Sequence, residues 1–292
     1  MSGFAVSVCN LQARYGRTVA IADATFDLDA GGIYGLLGRN GSGKTTLLST
    51  IASLRPSHGG SILVDGEDPF ENERVMAGVC LIRESGDVQS EVKIRHNLRY
   101  FADTRPTWDA AYAEELVDLF GLDRKKTVSS LSRGQLSAFG AVVGLASRAP
   151  LTMFDEVHLG MDAPTRYAFY DALLADYLAH PRTIVLSSHL INEIEKLLAG
   201  VVILHRGHVL LTEDADLFRS RGATLTGEPA AVDAVTRDLA VLATRELGRT
   251  KQVTVYGDLD TAVLQAAREA DLDVGAVPMQ DLFVHLTAKE SK

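Results

Sequence analysis

Residues Gly38, Arg39, Asn40, Gly41, Ser42, Gly43, Lys44, Thr45 and Thr46 fit the phosphate-loop pattern G-x-x-x-x-G-K-S/T at every fixed position. No other stretch restricts the fold so tightly, because the pattern works only as a strand, a turn and a helix in immediate succession. The flanks supply both elements. Residues 33–37 (IYGLL) read as a short buried strand, and residues 44–53 (KTTLLSTIAS) as the helix that follows. Glycines let backbone N–H groups converge on phosphate oxygens, and the helix N-terminus adds partial positive charge. Lys44 then reaches the β- and γ-phosphates, and the Thr45 hydroxyl is placed for magnesium. The implied ligand is a nucleoside triphosphate with Mg2+. The competing reading is a glycine-rich turn that merely contains a lysine, and the flanking strand and helix count against it.

The rest of the pattern alternates in the same way. Residues 4–11 and 19–28 read as strands, the second with Val19, Ile21, Phe26 and Leu28 set around polar positions such as Asp27. Residues 61–65 and 78–82 are further short strands. From 94 to 147 the spacing is helical: Tyr112, Leu116 and Phe120 recur at i, i+4 and i+8, with Ala113 and Val117 beside them. Thr107 is the expected N-cap there, Gly121 the stop, and residues 132–147 a second long helix ending near Pro150. Strands return at 151–154, 183–186 and 201–204, with helical stretches at 163–178 and 190–198 between them. That order predicts an α/β fold with parallel strands and crossover helices. His205 to His208 should turn a last hairpin into residues 209–211. After about residue 220, strands at 224–226, 250–256 and 272–277 and helices at 229–240 and 259–270 suggest a small α+β, ferredoxin-like domain.

Three further motifs narrow the chemistry. The apolar run Leu151 to Phe154 ends in Asp155 and Glu156, which places Asp155 at a strand end for the magnesium hydration shell and Glu156 as a general base for water. Leu131, Ser132, Arg133, Gly134 and Gln135 open a helix; read alone they are a good N-cap. Between a phosphate loop and an Asp-Glu strand end, they resemble the LSGGQ signature of the ATP-binding-cassette (ABC) ATPases. Ser187, Ser188 and His189 follow a buried strand, where that family has a histidine on the γ-phosphate and attacking water. Leu159, Gly160, Met161 and Asp162 resemble the family's D-loop, and Tyr15 resembles the aromatic that stacks on adenine.

The resemblance covers residues 4–219 with its motifs in family order. It implies a P-loop ATPase core with a mixed sheet, an antiparallel β subdomain and a helical subdomain at about 87–147, together forming a nucleotide-binding domain over residues 1–219. Residues 220–292 would form the accessory domain. Residues 278–287 look like the tail of single-cassette ATPases serving ABC-2-type exporters. The implied activity is ATP hydrolysis between two head-to-tail subunits, with Ser132, Gly134, Gln135 and Asp162 facing the ATP of the second copy. The implied partners are integral membrane permease subunits and a second ATPase subunit, most simply an identical chain. Two positions depart from the family pattern. Glu84 stands where the family usually has a glutamine that meets magnesium and senses the permease, with Gln89 as a weaker match; Val157 stands where proline usually follows the catalytic glutamate.

Composition sets outer bounds. A net charge of −9 over 292 residues argues against a protein built to neutralise nucleic-acid phosphates, so no nucleic-acid partner is expected. The rival within the family, an ABC protein acting on DNA or ribosomes, usually carries two cassettes or a long coiled coil, and neither is present. A low-turnover regulatory subunit is the other rival, and the intact Glu156 and His189 weigh against it. The most apolar stretch, 138–154, is broken by Arg148 and Pro150, so no membrane span is expected, and no signal peptide is legible. The expected location is cytoplasmic, on the inner face of the membrane through the permease. Cys9 and Cys80 each lie in an apolar run and are expected to be small buried side chains.

Overall fold

The computed structural model describes residues 3–84, 87–257, 259 and 261–289. β1 (Val6–Tyr15) and β2 (Thr18–Leu28) pair antiparallel, burying Val6, Val8, Leu11 and Ala13 of one and Ile21, Ala24, Phe26 and Leu28 of the other. A register shift between Val8 and Leu11 moves the inward phase by one residue and turns both Cys9 and Asn10 outward. Cys9 is therefore exposed, contrary to the sequence expectation, while Cys80 is buried. β3 (Ile33–Leu37) runs into the phosphate loop and α1 (Lys44–Ile51) leaves it. β4 (Gly59–Val64) pairs with β1, and α2 (Glu73–Ala77) leads into β5 (Val79–Arg83).

Three helices follow, α3 (Ile94–Thr104), α4 (Ala110–Leu119) and α5 (Arg133–Ala146). Asp109, rather than Thr107, caps α4: its carboxylate accepts the Tyr112 N–H at 2.8 Å, while Thr107 donates to the Ser147 carbonyl at 2.6 Å. β6 (Leu151–Asp155), α6 (Ala163–Ala179), β7 (Thr183–Ser188), α7 (Ile191–Ile194), β8 (Gly200–His205) and β9 (His208–Asp214) complete the pattern. α7 is shorter than the expected 190–198 because Leu198 turns inward to pack beneath Gly35 instead of continuing the helix.

Among the described residues, nine strands form one mixed sheet in the order β4-β1-β2-β9-β8-β3-β7-β6-β5. β8, β3, β7, β6 and β5 are mutually parallel, and β6, β7 and β8 are buried at every residue, as strands covered on both faces must be. The β8–β9 hairpin turns on Arg206 and Gly207, both with positive φ, the geometry of a two-residue type I′ turn. Order of this kind leaves the C-terminal ends of the parallel strands in a row, where ligands of open α/β sheets bind.

The chain divides into two compact units. One comprises Met1–His189 and Leu197–Thr212, the other Leu190–Lys196 and Glu213–Lys292. The division falls before the expected residue 220 because Glu213 is held by Arg221 and by the Tyr256 hydroxyl at 2.8 Å, and Arg219 donates to the Glu195 carbonyl at 2.8 Å. The second unit contains α8 (Ala215–Ser220), β10 (Gly222–Gly227), α9 (Pro229–Thr236), β11 (Val241–Leu247), β12 (Thr250–Tyr256), α10 (Thr261–Glu269), β13 (Asp273–Ala276) and α11 (Met279–Lys289). Its antiparallel sheet has the order β11-β12-β10-β13, the ferredoxin-like arrangement of a β-α-β-β-α-β chain. Residues 278–287, read from sequence as a tail, lie mostly in α11.

Candidate active site

The site is assembled at the C-terminal ends of β3, β6 and β7. Gly43, at φ 110° just before α1, adopts a conformation open only to glycine without strain, and its carbonyl accepts the Leu47 N–H at 2.9 Å to start the helix. The preceding turn is closed by the Ser42 N–H donating to the Arg39 carbonyl at 3.0 Å, and the loop is tied to the β8–β9 hairpin by the Gly207 N–H on the Ser42 carbonyl at 2.9 Å. Asn40 and Gly41 are exposed at its tip, and Thr45 is exposed at the start of α1. Lys44 is buried, and its ammonium donates to the Gly38 carbonyl at 2.7 Å.

Pairing of β6 with β5 and β7 sets Asp155 level with Arg83 and Ser187. Glu156 comes next, in the left-handed region at φ 54°, a conformation that costs a non-glycine residue about 1 kcal/mol or more. The turn aims its carboxylate into the site. Glu156 Oε1 lies 3.1 Å from Lys44 Nζ, and Glu156 Oε2 lies 3.0 Å from His189 Nδ1. The phosphate-loop lysine, the glutamate after β6 and the histidine after β7 thus meet, although 145 residues separate the first from the last in the chain.

Ser42 Oγ, Asp155 Oδ1 and Ser187 Oγ are buried here without a hydrogen-bond partner among the described residues, and Glu156 Oε1 is met by the Lys44 ammonium. A buried carboxylate oxygen left unpaired is costly unless a cation or a water shell takes it up. Asp155 therefore fits a hydrated divalent cation. The Tyr15 hydroxyl approaches Thr46 Oγ1 at 3.4 Å, which sets the tyrosine beside the phosphate loop. One face of its ring is covered by the Arg55 guanidinium, 3.4 Å from the ring centre.

Ser132 caps α5 by a reciprocal bond with Gln135: the Gln135 N–H donates to Ser132 Oγ, and the Ser132 N–H donates to Gln135 Oε1, both at 3.2 Å. Gly134 allows α5 to approach the 157–160 turn closely; a methyl group there would lie 2.8 Å from the Gly160 carbonyl oxygen. Asp162 caps α6 through the Thr165 N–H at 3.0 Å, and those bonds hold its carboxyl below the usual carboxylate range. Glu84 is half-buried and ion-paired with Arg133. Arg133, third in the signature-like motif, and Glu84 thus neutralise each other. Arg83 binds Asp87 through its backbone N–H at 2.6 Å and its guanidinium; Ser85 and Gly86 lie outside the described residues.

One residue at the centre escaped the sequence reading. His158, two positions after Glu156, is buried with Nε2 3.1 Å from Ser188 Oγ and 3.6 Å from Glu156 Oε2. Burial, helped by His189, Arg166 and Lys44, pushes its pKa down to about 4. A histidine so close to an Asp-Glu strand end was the available signal.

Comparison with known proteins bears on the class. Residues 21–158 match the family model described as ABC transporter. The bacitracin transport ATP-binding protein BcrA of Bacillus licheniformis is 30% identical over 210 residues, which cover 70% of this chain and 68% of that one. This chain belongs to the ABC transporter family. The ABC transporter ATP-binding protein YtrB of Bacillus subtilis is 26% identical over 196 residues, 67% of each chain. The Nod factor export ATP-binding protein I of Mesorhizobium japonicum is 28% identical over 214 residues, 70% of this chain and 62% of its own length. A solved structure of an ATP-binding subunit of an ABC transporter superposes with a TM-score of 0.66 at 26% identity, covering 74% of this chain and 92% of the other. The cassette is thus an ABC ATPase that binds ATP and hydrolyses it. Among the described residues, no helix is long and apolar enough to cross a membrane.

Proposed function

We propose that this chain is the ATP-hydrolysing subunit of an ABC exporter, working through separate permease subunits and pairing with a second, identical copy. The relatives named for bacitracin transport and Nod factor export support the direction of transport. The nucleotide work is assigned to the first unit, and the ferredoxin-like unit is an accessory domain. With no spanning helix among the described residues, the subunit would reach the inner face of the membrane through the permease.

The observation that carries this reading is the Glu156 carboxylate standing between Lys44 at 3.1 Å and His189 at 3.0 Å. In this arrangement Lys44 is already poised at the phosphate loop, and a γ-phosphate would draw its ammonium away from Glu156. The freed carboxylate then takes the proton of the attacking water as general base, and His189 holds the γ-phosphate and water in line. Asp155 and Thr45 would hold Mg2+, which would supply positive charge to the bound phosphates. Glu84, the third expected magnesium residue, has its carboxylate engaged by Arg133. Tyr15 would offer its open face to adenine. Gly38, Arg39, Asn40, Gly41, Ser42, Gly43 and Thr46 complete the phosphate cradle.

Ser132, Gly134 and Gln135 begin a helix whose N-terminus suits an anion. By the family resemblance, the phosphate they would serve is that of the second copy, and Asp162 would link the two sites. Glu156→Gln tests the assignment: hydrolysis should be abolished, ATP binding retained and an ATP-dependent dimer trapped on size-exclusion chromatography. Normal turnover in that variant refutes the role given to Glu156.

A further inference from the structure

Glu156 and His189 form two corners of a cluster whose third corner takes no part in the reaction above. His158 Nε2, His189 Nδ1 and a Glu156 carboxylate oxygen all lie within 4.8 Å of one another. We propose that Glu156, His158 and His189 bind a transition-metal dication, zinc above all, and that its occupancy blocks hydrolysis.

The donor set argues for zinc over magnesium. Two imidazole nitrogens and one carboxylate are the ligands of open zinc sites, whereas magnesium takes oxygen almost exclusively. Bond lengths of about 2.0–2.2 Å in a tetrahedron place ligand atoms about 3.3 Å apart. The separations to Glu156 Oε2 are 3.0 Å from His189 Nδ1 and 3.6 Å from His158 Nε2, which bracket that value. The remaining gap between the imidazoles closes by rotation of His189, whose side chain is 36% exposed, toward His158, which is buried beside Ser188 and Tyr170. The partial exposure of His189 also leaves a fourth position open to water. Lys44 opposes the dication from the other carboxylate oxygen at 3.1 Å, which should hold affinity in the micromolar range rather than tighter.

Zinc bound there would occupy the same lone pairs that Glu156 and His189 need for catalysis. The binding site stands on geometry alone; the block rests on the roles proposed above. The test titrates ZnCl2 into the purified, nucleotide-free protein by calorimetry and, separately, into the ATPase assay at excess Mg2+. Wild type should bind one zinc per chain with micromolar affinity and lose turnover over the same range, reversibly on chelation. His158→Phe and His158→Asn should keep turnover within about twofold and lose zinc affinity and inhibition by at least about tenfold. Glu156→Gln, which should keep its ATP binding and so report its own folding, should also lose zinc. If wild type titrates no zinc, or the three variants bind it as wild type does, the site is refuted. Binding that depends on His158 but leaves turnover intact would keep the metal site and overturn the role of Glu156.

Discussion

Replacing Gly160 by alanine should disable the signature helix without touching the phosphate loop. A methyl group at Gly160 would lie 2.3 Å from Ser137 Oγ and 2.9 Å from the Arg133 carbonyl oxygen. The serine hydroxyl can rotate, but the Arg133 carbonyl belongs to the first turn of α5 and moves only with the helix. The opposite approach is as tight, since a methyl at Gly134 would stand 2.8 Å from the Gly160 carbonyl. Overpacking of this kind costs about 1–3 kcal/mol. For a unit of this size that lowers the melting temperature by roughly 2–12 °C. The functional loss should be larger, because misplacing a group by ~1 Å can cost 10²-fold in rate. Turnover should therefore fall between about tenfold and a hundredfold, while the dissociation constant for ATP, set by the phosphate loop, changes by less than about twofold. Gly134→Ala, which strains the same gap from the other side, should behave alike, and the double variant should fall short of the sum of the two. Melting by calorimetry, nucleotide binding by fluorescence and phosphate release together decide the matter. Wild-type melting and turnover in Gly160→Ala would refute the close packing, and a parallel loss of ATP affinity would refute the separation of the two half-sites.

The pH dependence of stability should carry the mark of His158. Its folded pKa is lowered from 6.5 to about 4, so the fold prefers the neutral ring. Between those values the unfolded chain binds the proton first, and stability is undiminished above pH 6.5 and declines as pH falls toward 4, by about 3 kcal/mol in all. Denaturation of His158→Phe across that range should show a shallower slope, and an equal slope would remove His158 as the cause. The Glu84–Arg133 pair is 41% and 68% exposed at its side chains, so its contribution to stability should be only ~0.2–1 kcal/mol and should fade in high salt. Arg133→Glu should nonetheless depress turnover by setting like charges at the start of α5, and the swap with Glu84→Arg should recover it; a swap no better than the single variant would sink the pairing.

Much of this was legible in the chain because its signals are local. The glycines around Lys44, the apolar run before Asp155 and the Ser132–Gln135 cap each act within a few residues, and the structure places each on the expected strand end or helix start. What the sequence concealed is long-range or depends on register. Cys9 points outward because a bulge shifts the phase of β1, and no alternation rule announces that. Asp109 takes the cap of α4 because Thr107 finds a better acceptor 40 residues away in Ser147. The main segment of the second unit starts at Glu213, which is bonded to Arg221 and Tyr256, and not where composition changes.

One ion pair, between Glu84 and Arg133, ties the end of β5 to the signature-like motif. Glu84 and Arg133 lie 49 positions apart in sequence, yet they meet in that pair. A glutamine at residue 84 would leave the Arg133 guanidinium at the start of α5 without its carboxylate, and a glycine at residue 133 would leave the Glu84 carboxylate without its counter-charge. The pair therefore acts as one electrostatic unit. It holds the end of β5 to the start of the signature helix by charge, where the usual glutamine has only a neutral amide to offer. A nucleotide that repositions α5 must then stretch or release this contact, which makes the pair sensitive to ionic strength in a way that a glutamine would not be.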